Sequence, residues 1–429
     1  MTRLACRSPK KRGVAALSLV LLMAACSGRD RACDSSLAVP PGFCAELFAD
    51  DAGPARHLVV APGGDVYVAR WREGSRDGGV LALRDTDGDG RADVRATFGP
   101  EAGSGIALGG GYLFLGAWGR VYRWRLHPDS LVPRERAQTV VDGIPELEHG
   151  ARSIALGADG ALYVNVGAPS NACERDYRGR DFRGATPCGE LLTSGGVWRF
   201  PGALGPVPQP FSPTLSTRFA TGLRHSVALG VDPGDGGVYA APHGIDHLDR
   251  WWPEAGYTAE DAAAKPAETL FRIRAGGDYG FPYCMFDPAT RRMVRAPGYG
   301  GTARAPVACT GAESPLATFD AHSAPMAIAV HPGHGWPARY RGGMFVALHG
   351  SLFRHPLEPT GYAVVFLPRT PAGFGPAEPF LQGAGRGRPW SLPRPRPSGL
   401  AVGPDGSLYV SDDARGRVWR IRWRGERAR

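Results

Sequence analysis

The sequence predicts an all-β fold, a six-bladed β-propeller of four-stranded antiparallel blades, and three observations carry that expectation. The chain of 429 residues returns six times to one phrase, an alternating apolar strand, a Gly/Asp turn and a second alternating strand. Each copy is followed by a further short alternating strand, so the period is that of hairpins and not of helices. The copies stand about forty or more residues apart, a spacing that gives each one three or four strands, which is one propeller blade.

In chain order the copies are "HLVVAPGGDVYVARW" from His57, "GIALGGGYLFLGAW" from Gly105, "SIALGADGALYVNVG" from Ser153, "SVALGVDPGDGGVYAAPHG" from Ser226, "AIAVHPGHGWPARYRGGMFVALHG" from Ala327 and "GLAVGPDGSLYVSDD" from Gly399. The strands that follow are "GGVLALRD", "GRVYRWRL", "GGVWRFPG", "ETLFRIRAGG", "GSLFRHPL" and "GRVWRIRW". Longer intervals among the later copies read as loop insertions. "GFCAELFA" near the start and "GRVWRIRW" at the end predict a ring closed by strands from both termini. "DTDGDGRAD" is expected in a connection between blades, after the outer strand of the first. Asp85, Asp87, Asp89 and Gly90 fit the front of a calcium loop, but the twelfth position is Ala96 and not the bidentate glutamate. An Asp/Gly turn without metal is put ahead of a weak peripheral calcium site.

Residues 1–25 read as a secretory leader: Arg3, Arg7, Lys10, Lys11 and Arg12 precede the apolar run "GVAALSLVLLMAAC", which is too short for a comfortable transmembrane helix. The segment resembles a bacterial lipoprotein box with Cys26 as lipid acceptor, although Met23 stands where leucine is usual; ordinary cleavage nearby is the alternative. Residues 26–40 are then a linker and 41–429 the propeller. The expected location is the periplasm, with membrane contact only through the lipid. The formal charge of +9 includes the five basic residues of the leader, and no concentrated Lys/Arg run follows it, which argues against a nucleic-acid partner. Setting Cys6 and Cys26 aside leaves six cysteines, an even set that in an oxidising compartment reads as disulfides. Of the fifteen connectivities, nearest-neighbour pairing is chosen: Cys33 with Cys44, Cys173 with Cys188, Cys284 with Cys309. There is no C-x-x-C-H, so a covalent c-type haem is excluded.

Loops at one end of a propeller converge on the central channel and are the natural place for a ligand. Those positions hold His149, Arg224, His225, His243, Asp246, His322, His349 and Arg396, which include five of the eleven histidines.

The ordered phrases "EHGARSIALGADGALYVNVG", "TGLRHSVALGV", "HGIDHL", "AGGDYGFPYC", "AHSAP", "YRGGMFVALHGS" and "RPSGLAVGPDGSLYVSDD" span nearly the whole mature chain. Together they resemble the glucose/sorbosone dehydrogenase family, six-bladed propellers that oxidise sugars with pyrroloquinoline quinone (PQQ), and most closely its sorbosone branch. The resemblance implies that His149 is the general base, a role suited to a side chain that titrates near working pH. A loop-capping histidine is the alternative. It further implies that Arg224, His225, Ser323, His349 and Arg396 contact the anionic cofactor, with His322 behind them, and that a calcium ion is held by Gly244, Ile245 and Asp246. A surface role for the arginines and a buried, satisfied role for either His322 or His349 are the alternatives. A zinc site from His225, His243 and His247 is placed low.

Three departures from the family stand out. His225 replaces the usual asparagine, Ser170 a frequent cysteine, and the Pro/Arg-rich stretch before Arg396 leaves Arg388 as an alternative match. The implied partners are a sugar substrate and a periplasmic electron acceptor. Selectivity is assigned to the insertions, where Trp251, Trp252 and Tyr257 are expected to pack and not to stack on sugar. Two other functions are kept open, a calcium-dependent lactonase and a non-catalytic carbohydrate- or protein-binding propeller.

Overall fold

A computed structural model describes residues 32–71, 78–176, 181–205, 210–351, 353–383 and 394–425. The leader, Cys26, the first part of the linker and Arg388 lie outside the described residues.

The alternation read from the sequence becomes six antiparallel sheets, each with its first strand innermost. The inner strands of blades 1 to 6 are Ala55–Val60, Gly103–Gly109, Ile154–Leu156, Ala228–Val231, Pro325–Val330 and Pro397–Val402. Each packs against the next, and the sixth packs against the first, so the ring is closed. Closure is by mixed termini as expected: Phe43–Ala49 pairs antiparallel with Arg417–Trp423 at the rim of blade 6. Two blades carry a fifth strand, Gly277–Asp278 on blade 3 and Leu37–Ala38 on blade 5.

A single sheet buries only what its neighbours cover, so the apolar residues collect in the seams between blades. Phe43, Trp336, Tyr340, Phe345, Phe380 and Trp419 fill the seam of blades 5 and 6. Their rings meet edge to face, as between Phe43 and Trp336 at 4.6 Å. The other five seams hold corresponding clusters. A further cluster lies in the insertion after blade 4's second strand, Val238–Ala241, where short helices Leu248–Trp251 and Ala259–Ala264 bury Trp252 and Tyr257. Trp252 is fully buried and its indole N–H donates to the Phe182 carbonyl at 2.7 Å, so it packs and does not await a sugar. That cluster also contains Ala168, Ala172 and Ile245, and so backs the loops that form the site described below.

All three nearest-neighbour disulfides are formed. The aspartate loop is placed differently from the expectation. It joins the third strand of blade 1, Gly79–Arg84, to its fourth, Val94–Phe98, and lies within the blade and not between blades. The fourth strand escapes notice because its pattern is largely exposed, leaving few apolar residues to mark it. Side-chain oxygens of Asp85, Asp87 and Asp89 lie within 4.8 Å of one another. Backbone N–H groups of Gly88, Gly90, Asp89 and Arg91 donate to these same carboxylates, as Asx turns do.

Trp419 is fully buried at the closing seam and its indole N–H donates to Asp34 at 3.1 Å. Trp419→Ala is expected to cost about 3–5 kcal/mol, read as a lower denaturant midpoint. An unchanged midpoint would show that the ring does not depend on this seam.

Candidate active site

The eight residues placed by the sequence at the channel end lie at one end of the ring, before an inner strand or after a second strand. His149 precedes blade 3's inner strand; Arg224 and His225 precede that of blade 4; His322 and Ser323 that of blade 5; Arg396 that of blade 6. His243 follows blade 4's second strand and His349 follows blade 5's, Met344–Leu348. Antiparallel pairing makes these two kinds of position neighbours, and the ring then brings the six blade ends around one mouth.

His149 Nδ1 donates to the Ala168 carbonyl at 2.5 Å, which fixes the tautomer and leaves Nε2 as the acceptor. Burial first, and then the Arg224 charge, push its pKa down to about 3, so the ring is neutral. The His225 ring lies 4.9 Å from it and the His243 ring 5.4 Å beyond His225. Gly167 permits this packing, since a Cβ there would lie 2.6 Å from the His149 carbonyl oxygen and 2.7 Å from His225 Nδ1. His225 Nδ1 is itself buried without a partner. Burial pushes His243 down to about 4, while its Nε2 donates to the Pro325 carbonyl at 2.9 Å. The loop that carries His149 is held by Arg152, fully buried, whose guanidinium donates to the carbonyls of Trp118 (2.7 Å) and Pro145.

Arg224 spends four donor contacts on the protein: Nε on the Asn171 carbonyl (3.0 Å), Nη1 on the Gly244 carbonyl (2.8 Å), and Nη2 on Asn171 Oδ1 (2.9 Å) and Asp246 Oδ2 (3.1 Å). Asp246 Oδ1 faces His322 Nδ1 at 3.3 Å, and His322 Nε2 donates to the Ala262 carbonyl at 2.8 Å. Burial alone would raise the Asp246 carboxyl, but Arg224 and His322 outweigh it and hold it well below the usual range. Burial likewise works against a charged His322, and its contact with Asp246 reverses the sign and raises its pKa. Glu268 accepts from the Gly244 N–H at 2.9 Å, and burial pushes its carboxyl up to about 7.

On the far side of the mouth, His349 Nε2 donates to Asp413 at 2.8 Å while its Nδ1 accepts from Arg396 Nη2, also at 2.8 Å. Arg396 also donates to the Gly350 carbonyl at 2.9 Å, and Arg56 Nη1 lies 3.1 Å from Asp413. Ser323, fully buried, has an unpartnered Oγ, and Arg396 an unpartnered Nε. The backbone flanking Ser323 is left-handed at His322 (φ 60°) and Ala324 (φ 53°), a conformation that non-glycine residues hold only when their surroundings impose it. Beneath the mouth, Trp71, Ala102, Ala151, Val227 and Met326, with Trp118 against them, form an apolar floor. Below it, the inner strands of all six blades line a cavity of about 240 Å³.

A family profile described as TrAA12-like matches residues 199–424, just over half of the chain. The chain belongs to the TrAA12-like family. No curated protein sequence matches it. Among solved structures it is similar to the holo form of the PQQ domain of pyranose dehydrogenase from Coprinopsis cinerea, at 19% identity and TM-score 0.69, covering 90% of this chain and 97% of that one. The calcium structure of the Trichoderma reesei carbohydrate-active enzyme of family AA12 is similar at 21% identity and TM-score 0.70, covering 91% and 97%. The PQQ-bound aldose sugar dehydrogenase of Streptomyces coelicolor matches at 18% and TM-score 0.53, covering 90% and 99%. At these identities the likeness is one of fold.

What this TrAA12-like site can hold follows from its own atoms. Unpartnered buried donors at Ser323 and Arg396, with two arginines and a neutral imidazole at His149 around an apolar floor, suit a flat anion such as PQQ. Of the oxygens named for calcium, the Gly244 carbonyl and the Asp246 carboxylate face the Arg224 guanidinium, while the Ile245 carbonyl has no partner among the described hydrogen bonds and each carbonyl keeps a lone pair for a cation. Among the described residues His225, His243 and His247 do not form a metal-holding group of three. Sequence reasoning passed over Glu268, Arg56 and Asp413. The last stands in "YVSDD", a phrase common to many propellers, so its pairing with His349 from another blade had no local signal. Asn171, next to Ser170 in the sequence, is the hub of the Arg224 contacts.

His57, held on the Met326 carbonyl at 2.7 Å, is pushed by burial to about 4, as His243 is, and His149 to about 3. The unfolded chain recovers ordinary histidine values near 6.5 and takes up protons that the folded chain refuses. Stability is therefore full above about pH 6.5 and falls as pH drops toward 4. A melting temperature that declines over this range, with a shallower slope in His57→Gln, is the expected result; a flat profile would contradict burial of neutral histidines.

Proposed function

We propose that the chain is a PQQ-dependent sugar dehydrogenase, acting on an aldose or a sorbosone-like sugar with His149 as general base. The observation that carries this reading is the His149 tautomer: Nδ1 is pinned to the Ala168 carbonyl, so Nε2 presents a lone pair beside cations and unpartnered donors at the channel mouth. The solved structures of similar fold that hold PQQ support the choice of cofactor.

The carboxylates of PQQ fall to Arg396 and Ser323, with His349 aligning Arg396 through Nδ1. Arg224 contributes charge and, of five guanidinium N–H groups, four contacts already made to protein. When bound, PQQ supplies a two-electron acceptor for hydride. His149 Nε2 takes the proton of the sugar hydroxyl as its carbon loses hydride and the C=O bond forms. His149 stays neutral well below pH 7 and needs no prior deprotonation, while burial moves it away from the titration near working pH expected from the sequence and weakens it as a base. His225, in contact with His149, keeps the ring oriented where family members carry asparagine. The calcium structure of an AA12 enzyme of similar fold supports a calcium ion beside the quinone, for which the Gly244 and Ile245 carbonyls and Asp246 would be the oxygens.

The three disulfides support an exported, periplasmic setting, where a lipid at Cys26 would hold the enzyme near the membrane and a soluble carrier would take its electrons. A metal hydrolase finds less support. Among the described residues the groups of three metal-capable side chains are Cys173, Cys188 and Glu190, and the blade 1 aspartates, so no carboxylate set is gathered at the mouth.

The purified chain with PQQ is expected to bleach an artificial acceptor dye when given an aldose or sorbosone-like sugar; no bleaching across a broad sugar panel would contradict the dehydrogenase reading. His149→Ala should still bind PQQ, read from its absorbance, while turnover drops about 10²–10⁴-fold. Undiminished turnover would remove His149 from the role of base.

A further inference from the structure

Phe353 is the most exposed large apolar side chain among the described residues, at 59%, and the one aromatic ring in that group. A lone exposed ring calls for no explanation, but this one belongs to a row. Its centroid lies 5.3 Å from that of His247, His247 lies 5.3 Å from Trp251, and Trp251 stacks on Phe182 at 4.9 Å with 11° between the planes. The rings come from three blades: Phe353 follows blade 5's second strand, His247 and Trp251 stand in the insertion of blade 4, and Phe182 lies on a short strand, Asp181–Gly184, inserted in blade 3.

The row begins at the mouth. The Phe353 ring is 6.4 Å from that of His322, and the Gly350 N–H, three residues before Phe353, donates to the Ser323 carbonyl at 2.8 Å. Exposure grows outward along this line, from Ser323 at 1% through His322 at 8% to Phe353 at 59%. The exposed ring is also held in place. Its backbone N–H donates to Ser351 Oγ at 3.0 Å, and the next residue, Arg354, donates to the carbonyls of Glu358 at 2.9 Å and Ala321 at 3.2 Å. His247 stands at φ 59°, a second left-handed histidine beside Phe353, as His322 is at φ 60°. No ring nitrogen of His247 is hydrogen-bonded among the described residues, so its donor and its acceptor are both open to a ligand.

Resting on the reading of the mouth as a quinone-dependent sugar site, we propose that Phe353 and His247 form an outer sugar subsite, so that the chain accepts the reducing end of a disaccharide or longer oligosaccharide whose second ring stacks on Phe353. A pyranose with equatorial hydroxyls presents C–H groups on its faces, and the negative face of an aromatic ring attracts them. The hydroxyls at its edge need partners, which an imidazole supplies as donor and acceptor together. A purely apolar ligand would leave His247 unused. Because the row lies outward of Ser323 and His322, the ring it holds is the neighbour of the one that gives up hydride, and not that ring itself.

The first part of the test needs no quinone. Saturation-transfer NMR of the full mature chain with methyl β-maltoside and with methyl β-lactoside, neither of which has a free anomeric hydroxyl, should show transfer to the protons of the non-reducing ring. Phe353→Ala should reduce that transfer at least threefold and Phe353→Tyr should keep it; no transfer from either glycoside, or equal transfer in Phe353→Ala, would overturn the inference. In the chain loaded with PQQ in calcium-containing buffer, the KM for the better of maltose and lactose should rise about tenfold in Phe353→Ala, with kcat, the KM for glucose and the PQQ midpoint each unchanged within about twofold. Equal rises in KM for disaccharide and glucose, or a shifted PQQ midpoint, would place the effect at the quinone and overturn the outer subsite. A chain that oxidises no sugar contradicts the proposed function, and the NMR comparison then decides the inference by itself.

Discussion

The antiparallel pairing of Phe43–Ala49 with Arg417–Trp423 is the contact on which everything else in the molecule depends. Radial repetition places six sheets around an axis, but only closure gives the first and last blades the neighbour each needs to bury its face. Without it, blade 6 would lose its outermost strand, the seam with blade 5 would lose Phe43, and the seam with blade 1 would lose Phe48 and Ala49. The mouth is a consequence of that closure. Arg56 reaches Asp413 across the junction of blades 1 and 6, and Arg396 and His349 join the same network from blades 6 and 5.

The charge at the mouth is organised by burial. Arg152 and Arg224 are nearly inaccessible, and each is satisfied by backbone carbonyls or by Asn171 and Asp246, as buried cations must be. Burial first, with the Arg224 charge adding to it, keeps His149 and His243 neutral, while His322, facing Asp246, is driven the other way. His322 is raised by Asp246, whereas at His349 burial outweighs Asp413 and lowers the ring. Oppositely perturbed titratable groups in one cleft are a mark of a working site.

The blades were legible because their signal is local: each inner hairpin alternates within about fifteen residues, and the closing strands carry the same alternation. The nearest-neighbour disulfides were legible for a similar reason, being short-range links inside single insertions or at the first strand. His149, Arg224, His225, His243, His322, His349 and Arg396 could be gathered because blade ends recur at a fixed place in each repeat. Partnership across blades was not legible. Nothing in "YVSDD" says that Asp413 meets His349, and nothing in "GAPSNAC" says that Asn171 holds Arg224. For the same reason the oxygens of "HGID" gave no sign of the guanidinium that reaches them from another loop. The aspartate loop illustrates the converse case: the motif is conspicuous in sequence, yet it lies within blade 1, away from the blade ends that form the mouth.

The central claim is that the convergence of these blade ends forms a binding site for an anionic quinone with His149 beside it. A crystal structure of the chain soaked with PQQ tests this most directly. Density for one quinone at the mouth, bounded by Ser323, Arg396 and His149, is the predicted result. A quinone seated elsewhere, or a mouth that stays vacant at saturating PQQ, would contradict it.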